Sequence, residues 1–410
     1  MKTGFVIFFL IIIPLFVLAL ELYFNSKWSR FVKQRNWSPI LSVIPYYLTA
    51  IMITIYVSAS YLKMFSDKFY PFVWGLFIIS NIWILPKLVI VPFFVVRDIY
   101  NYFRLKYLKY FPISQNNLEM QKSDDRRKFL QNASWLAAGL PFLITSRGLI
   151  HTAYDIRLHK TQIPIENLPY NLNEFRIVQL SDLHFGSFIN TDIVKDAVRI
   201  VNKLNPDLIC ITGDFVNVKV SELDYGVKEL KKLKAKHGVY GCLGNHDHYV
   251  DKNEIRDLVE QIESNGVKLL INENKIIDLY HSKINIVGVD NEGVRQQFAD
   301  WDKAFDGISA KNTTILLCHD PVNWDKNIRG KRKVDLTLSG HTHGGQVSVD
   351  FWGETLSPAR LVYKQYAGLY SDNFQHLYVN RGFGTSGPPI RLGFNPEITL
   401  LTFKPTDSMV

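Results

Sequence analysis

The apolar positions of this chain follow two different patterns, and the change falls near residue 150. Before it they come in long runs. Phe5 to Leu20 is almost wholly apolar and continues to Phe24 across Glu21; Ile40 to Leu62 carries no charge; Pro71 to Val96 carries only Lys87. A bilayer core takes about 20 apolar residues per helix. The runs therefore predict membrane spans at 5–24, 40–62 and 71–96. A shorter run, Ala133 to Ile144, predicts a fourth crossing within 133–150. Pro45, Pro86 and Pro92 fit such helices, where neighbouring groups satisfy the freed carbonyls. A cleaved secretory signal is the weaker reading of the first run, because further spans follow and no small-residue cleavage pattern stands out.

From residue 175 onward, short β-rich runs alternate with amphipathic helical stretches, which signals α/β architecture. Strands are predicted at Phe175–Leu180, Leu208–Thr212, Val239–Leu243, Lys268–Ile271, Ile284–Val289, Thr314–Cys318, Val334–Ser339, Leu377–Val379 and Ile398–Phe403. Helices are predicted from Thr191 to Leu204, from Leu223 to Lys236, and after a cap at Asn253 with Ile255, Leu258, Val259 and Ile262 inward. The layout is then a membrane module over 1–150, a linker over 151–172 and a folded domain over 173–404.

Charge sharpens the division. Of the 410 residues, the first 150 hold 17 Lys/Arg and 6 Asp/Glu, a net of +11; the rest hold 30 and 32, a net of −2. A basic chain invites a nucleic-acid reading, but the excess sits wholly in the half with the long apolar runs. It marks membrane topology, and no nucleic-acid partner is expected. Lys27, Arg30, Lys33 and Arg35 separate the first two spans, and Arg97, Arg104, Lys106, Lys109, Lys122, Arg126, Arg127 and Lys128 follow the third. Positive loops stay inside, so a fourth crossing delivers the C-terminal domain to the outer face of the membrane. Without that crossing the domain is cytoplasmic. Arg126-Arg127-Lys128-Phe129-Leu130 resembles a twin-arginine export signal and reads equally as a basic stop before a membrane helix. Trp28 and Trp37 suit a membrane interface. Cys210, Cys242 and Cys318 lie in strands as small buried hydrophobes and form no disulfide framework.

The chemistry gathers at strand ends. Ser181-Asp182-Leu183-His184, Gly213-Asp214, Gly244-Asn245-His246-Asp247, His319-Asp320 and Gly340-His341-Thr342-His343 each follow a predicted strand. Open α/β sheets bind ligands beyond the carboxyl ends of their strands. Asp, His and Asn donors without cysteine favour Mn, Fe or Zn over a structural zinc or iron–sulfur site. Seven donors exceed the needs of one tetrahedral ion. Two divalent ions about 3.5–4 Å apart, sharing a carboxylate and a hydroxide, would use them all and suit in-line displacement at phosphorus.

This ordered set resembles the signature of the calcineurin-like metallophosphoesterases, over residues 173–404, with every motif position filled. The resemblance implies a four-layer αββα sandwich. It further implies that Asp182, His184 and His343 hold one metal, that Asn245, His319 and His341 hold the other, and that Asp214 bridges them. His246 would hydrogen-bond the phosphate and protonate the leaving oxygen, with Asp247 orienting it. Gly344-Gly345-Gln346 and the tail from Asn380-Arg381-Gly382 through Pro388-Pro389-Ile390-Arg391 to Pro396-Glu397 resemble a bacterial membrane-associated branch. Some members of that branch act on lipid-linked phosphodiesters or pyrophosphates. Arg381 and Arg391 are candidates to meet substrate phosphate, or to form salt bridges.

The expectation is a membrane-anchored two-metal phosphohydrolase, manganese-stimulated, that uses a metal-activated hydroxide on lipid-linked or envelope phosphodiesters. Two alternatives stand beside it: a cytoplasm-facing pyrophosphohydrolase of nucleotide-linked lipid precursors, and a membrane scaffold whose metal domain does no catalysis.

Overall fold

The computed structural model describes residues 11–65, 70–110, 129, 132–188, 190–279, 281–294, 296–351, 354–387 and 389–406. They form two compact units, Met1–Leu149 and Ile150–Val410. The start of the expected 5–24 span, the Arg126-Arg127-Lys128 signal and Pro388 lie outside the described residues.

The first unit is helical: α1 (Ile13–Gln34), α2 (Ile40–Phe65), α3 (Tyr70–Tyr110) and α4 (Leu140–Ile150, whose last residue lies past the unit boundary). Among the described residues, Ile40–Leu62, Phe72–Tyr110 and Asn132–Tyr154 are long and apolar enough to cross a membrane. Helix α3 runs well past the expected end at residue 96, because Arg97 to Tyr110 alternates charged and aromatic positions with no glycine or proline to stop it. Aromatic rings knit the bundle: Trp135 lies within 5.2–5.8 Å of the rings of Phe24, Trp28, Phe31 and Phe94. The charges that interrupted the apolar runs are paired. Glu21 on α1 meets Lys87 on α3 at 2.7 Å, with both side chains essentially inaccessible. Thr49 Oγ1 and Trp83 Nε1 also donate to Glu21, at 2.5 and 3.2 Å, and Lys87 Nζ sits 3.6 Å from the Trp83 ring centre.

The second unit is built on two six-stranded sheets. The first runs β1 (Arg157–Ile165), β12 (Glu397–Pro405), β2 (Arg176–Leu180), β3 (Leu208–Thr212), β4 (Val239–Cys242) and β5 (Lys268–Leu269) across the sheet. The second runs β10 (Gly368–Asp372), β11 (Gln375–Val379), β9 (Leu336–Ser339), β8 (Thr313–Leu317), β7 (Lys283–Gly288) and β6 (Glu273–Asp278). Neighbours β2–β3–β4 are parallel, as are β7–β8–β9–β11.

Strict alternation of side chains sets the layers. Along β3, Leu208 and Cys210 point between the sheets, while Ile209 and Ile211 point to the helices α5 (Asp192–Lys203) and α6 (Ile255–Ser264). Ile315 and Leu317 of β8 face the same inter-sheet core. Leu316 packs outward on Trp324, Ile328 and Ala304 of two short helical turns. The order α, β, β, α is thus the expected one, with its fourth layer reduced to turns. All three cysteines are buried and free.

Two expectations needed correction. The segment expected as a linker contains β1, which pairs in parallel with β12 along its whole length. Its sequence, RLHKTQIPI, is polar because it is an exposed edge strand. The helix expected over 223–236 is instead a 3₁₀ turn at Val220–Tyr225 and a single helical turn at Val227–Leu230. Gly226 breaks the two; a side chain there would strike the Phe185 ring.

Candidate metal centre

The parallel strands deliver their carboxyl ends to one edge of the two sheets. The loops after β2 and β3 lie side by side, with Asp182 N–H donating to the Gly213 carbonyl at 3.0 Å and His184 N–H to that of Asp214 at 2.9 Å. Close approach is what the glycines allow. A Cβ on Gly340 would overlap Ser181 Oγ and Asp182 Oδ2, and one on Gly244 would overlap Asp214 Oδ1.

The structure brings all seven expected donors together. Asp182, His184 and His343 offer ligand atoms within 4.8 Å of one another. His184 Nε2 and His343 Nε2 are 3.1 Å apart, and His343 Nε2 is 3.3 Å from Asp182 Oδ1. In a second group His319 Nε2 and His341 Nδ1 lie 3.2 and 2.7 Å from Asn245 Oδ1. Asp214 Oδ2 stands between the groups, 3.5 Å from His184 Nε2 and 3.2 Å from His319 Nε2.

Three observations test whether these residues fit cations. Five of the seven hold left-handed backbone that side chains rarely adopt: Asp182 (φ 52°), His184 (40°), Asp214 (56°), His341 (69°) and His343 (51°). Strain on that scale persists where a site requires it. Next, burial keeps the His184 imidazole neutral, pushing it down to about 3, and burial with the His184 neighbour holds His343 well below its ordinary value. Two neutral imidazoles that face each other offer lone pairs to a common ion. Finally, His319 donates Nδ1–H to the Thr212 carbonyl at 2.6 Å, which turns Nε2 toward Asp214. Burial opposes charge on His319, yet Asp214 outweighs it and raises the imidazole to about 10. The proton so held is one that a cation would displace. The set fits two divalent ions.

His246 lines a cavity of about 280 Å³ with Asn245, His341, Thr342, His343, Gly345, Gln346, Tyr363 and Ser386. Its Nδ1 is 2.8 Å from the Asn217 carbonyl, so Nε2 turns to the cavity, 3.4 Å from Ser386 Oγ. Asp247 does not orient His246, contrary to expectation. Its buried carboxylate accepts backbone N–H bonds from Asp214, Phe215 and Gly244 at 2.8–2.9 Å and from Val216 at 3.3 Å. It shapes the loop that carries Asp214.

The two arginines fare differently from a substrate role. Arg391 has no exposed surface; its guanidinium donates to the carbonyls of Arg381, Gly382, Gly384 and Phe394. It therefore fastens the 381–384 loop and is closed to substrate. Arg381 binds the buried Glu397 at 2.7 Å. Burial works to raise the Glu397 carboxyl, and Arg381 more than offsets it, holding the group below its ordinary value. The pair's contribution is full above the ordinary carboxylate range and is lost as pH falls through the depressed value. Arg381→Ala is expected to cost about 3–5 kcal/mol by leaving that buried charge without its counter-ion, read as a lowered urea midpoint.

Sequence reasoning missed two tyrosines. Tyr363 Oη lies 3.0 Å from His341 Nε2, and Tyr249 Oη 3.2 Å from Asn245 Nδ2. Were His341 to give Nδ1 to a cation, its Nε2–H would donate to Tyr363 and hold the ring. No spacing rule ties either tyrosine to the motif. Tyr363→Phe is expected to weaken one of the two metal-binding steps roughly tenfold in calorimetric titration and leave the other unchanged.

Comparison with known proteins agrees. Residues 175–345 match the family model described as "Calcineurin-like phosphoesterase". Residues 5–153 match that described as "Probable Calcineurin-like phosphoesterase, transmembrane domain". A zebrafish (Danio rerio) "Transmembrane protein with metallophosphoesterase domain" is 30% identical over 70% of this chain and 67% of its own length. The cattle (Bos taurus) protein of the same name is 31% identical, with 68% of this chain and 64% of its own length aligned. The "Phosphodiesterase YaeI" of Escherichia coli is 31% identical over 67% of this chain and 98% of its own length. The chain is a membrane protein and belongs to the calcineurin-like metallophosphoesterases, a family of two-metal phosphoester hydrolases.

Proposed function

We propose that this chain is a phosphodiesterase acting on lipid-linked or envelope phosphodiesters, anchored in a bacterial inner membrane by several crossings, with its catalytic domain on the outer face. The observation that carries the hydrolytic reading is the place of Asp214, whose carboxylate stands between two clusters of His, Asp and Asn donors beside an open cavity. Asp182, His184 and His343 would hold one cation, Asn245, His319 and His341 the other, and Asp214 both. Such a pair supplies a nucleophile at neutral pH and clamps the phosphate oxygens.

The chain's own groups do the rest. His246 keeps its Nδ1–H on the Asn217 carbonyl and presents Nε2 to the cavity; as an imidazolium it would donate Nε2–H to a phosphate oxygen and pass that proton to the leaving oxygen. Gln346 and Ser386 brace each other through two hydrogen bonds, at 2.8 and 3.0 Å, on the cavity wall. A diester is favoured over a monoester by the YaeI relative. The outer face is favoured by the basic residues that follow the first and third apolar runs.

Two experiments test the reading. Full-length protein with manganese should hydrolyse bis(para-nitrophenyl) phosphate faster than the monoester, and chelation should stop it. Failure with every divalent ion would remove the hydrolase. A C-terminal alkaline phosphatase fusion should be active; an inactive fusion would favour the cytoplasmic pyrophosphohydrolase.

A further inference from the structure

The segment after the second motif histidine leaves the fold and returns to it. A small hairpin, Val349–Phe351 with Glu354–Leu356, leads into a 3₁₀ turn at Pro358–Leu361. The turn is firmly seated at its base. Ser357 and Ala359 are buried, the Ser357 hydroxyl donates to the Gly344 carbonyl at 2.5 Å, and the Ala359 N–H donates back to Ser357 at 3.2 Å. Its tip is the opposite. Leu361 is 89% exposed and Val362 75% exposed. Two adjacent aliphatic side chains that stand this far out of a well-anchored turn leave a joint apolar patch in water, which a partner can cover.

The residues on either side of the tip say which partner. Arg360 and Lys364 are both exposed and bracket the two aliphatics. An aliphatic tip between two cations matches a bilayer with anionic headgroups: the side chains enter the acyl boundary and the cations meet phosphate. The next residue, Tyr363, points the other way, into the cavity wall beside His341. One stretch of five residues therefore has one face for a lipid surface and one for the reaction site.

We propose that Arg360–Lys364 is a membrane-docking arm, which dips Leu361 and Val362 into an anionic lipid surface and brings the mouth of the cavity to phosphodiesters borne on that surface. The proposal rests in part on the lipid reading above, and its two tests separate the failures.

The first test needs no turnover. The native cysteines are buried, so Leu361→Cys in the full-length protein takes an environment-sensitive NBD label at one place. In vesicles containing phosphatidylglycerol the label should shift to the blue and be quenched by lipids brominated high on their chains. Tyr170→Cys, an exposed position at the opposite end of the strands, should stay water-like. A water-like label at 361 overturns the arm, whatever the enzyme does.

The second test compares substrates. Leu361→Ser with Val362→Ser should lower kcat/KM on the order of tenfold for a fluorogenic phosphodiester carried on a lipid in those vesicles. Hydrolysis of soluble bis(para-nitrophenyl) phosphate should not change. Equal effects on both, or none on either, overturn the arm. Loss of soluble turnover in the parent protein would instead strike at the hydrolase reading and leave the labelling result standing.

Discussion

Asp214→Asn is expected to lower phosphodiester hydrolysis by about 10³-fold or more while leaving the fold intact. The substitution keeps the shape. The remaining carbonyl oxygen can still accept the His246 N–H that Asp214 Oδ1 accepts at 2.8 Å. What goes is the charge that both donor clusters share. Asp214 Oδ2 lies within 3.5 Å of both His184 Nε2 and His319 Nε2. Its loss also removes the partner that raises His319, whose burial then favours the neutral ring. Metal content by mass spectrometry should fall below two ions per chain, together with turnover. Two retained ions and undiminished turnover would show that Asp214 is no bridge. A full genetic rescue by the same variant would favour the non-catalytic scaffold.

The second large effect lies in the helical unit. Lys87→Leu should destabilise it by about 3–5 kcal/mol, seen as a lowered thermal midpoint of the detergent-solubilised chain. The lysine is fully inaccessible and reaches Glu21 at 2.7 Å. Removing it leaves a carboxylate buried between α1 and α3 with Thr49 and Trp83 as its donors among the described residues. An intramembrane charge without its partner is costly. Glu21→Leu combined with Lys87→Leu removes both charges, so the double variant should recover most of the loss. If both variants unfold alike, the pair matters through packing, and the charge argument fails.

Much of this was readable in the chain itself because the relevant signals are local. Among the described residues, apolar runs of bilayer length became helices, and short β-rich runs ended in acid and imidazole clusters at the positions where β2, β3 and β8 stop. What the pattern misjudged were elements whose character is set by neighbours. RLHKTQIPI looks like a linker, yet β12 supplies a full register of partners and makes it a strand. Leu223 to Lys236 has helical spacing, yet Gly226 packed on Phe185 cuts it short. Asp247 follows His246 in sequence, but the loop turns its carboxylate back to four backbone N–H groups. Arg391, a charged residue in a polar tail, is the fastening of a buried loop.

The order of donors along the chain determined which groups are available for cations, because ligand chemistry is a property of residue type. The sequence alone also fixed the division into an apolar helical part and an α/β part, since hydrophobic run length and period are written residue by residue. Tertiary structure decided the rest: that donors from five loops meet, that Asp214 falls between two clusters, that Tyr249 and Tyr363 steady Asn245 and His341, and that Asn217 holds His246. Those outcomes depend on distances between residues far apart in the chain, and only the packing of one sheet on another sets such distances.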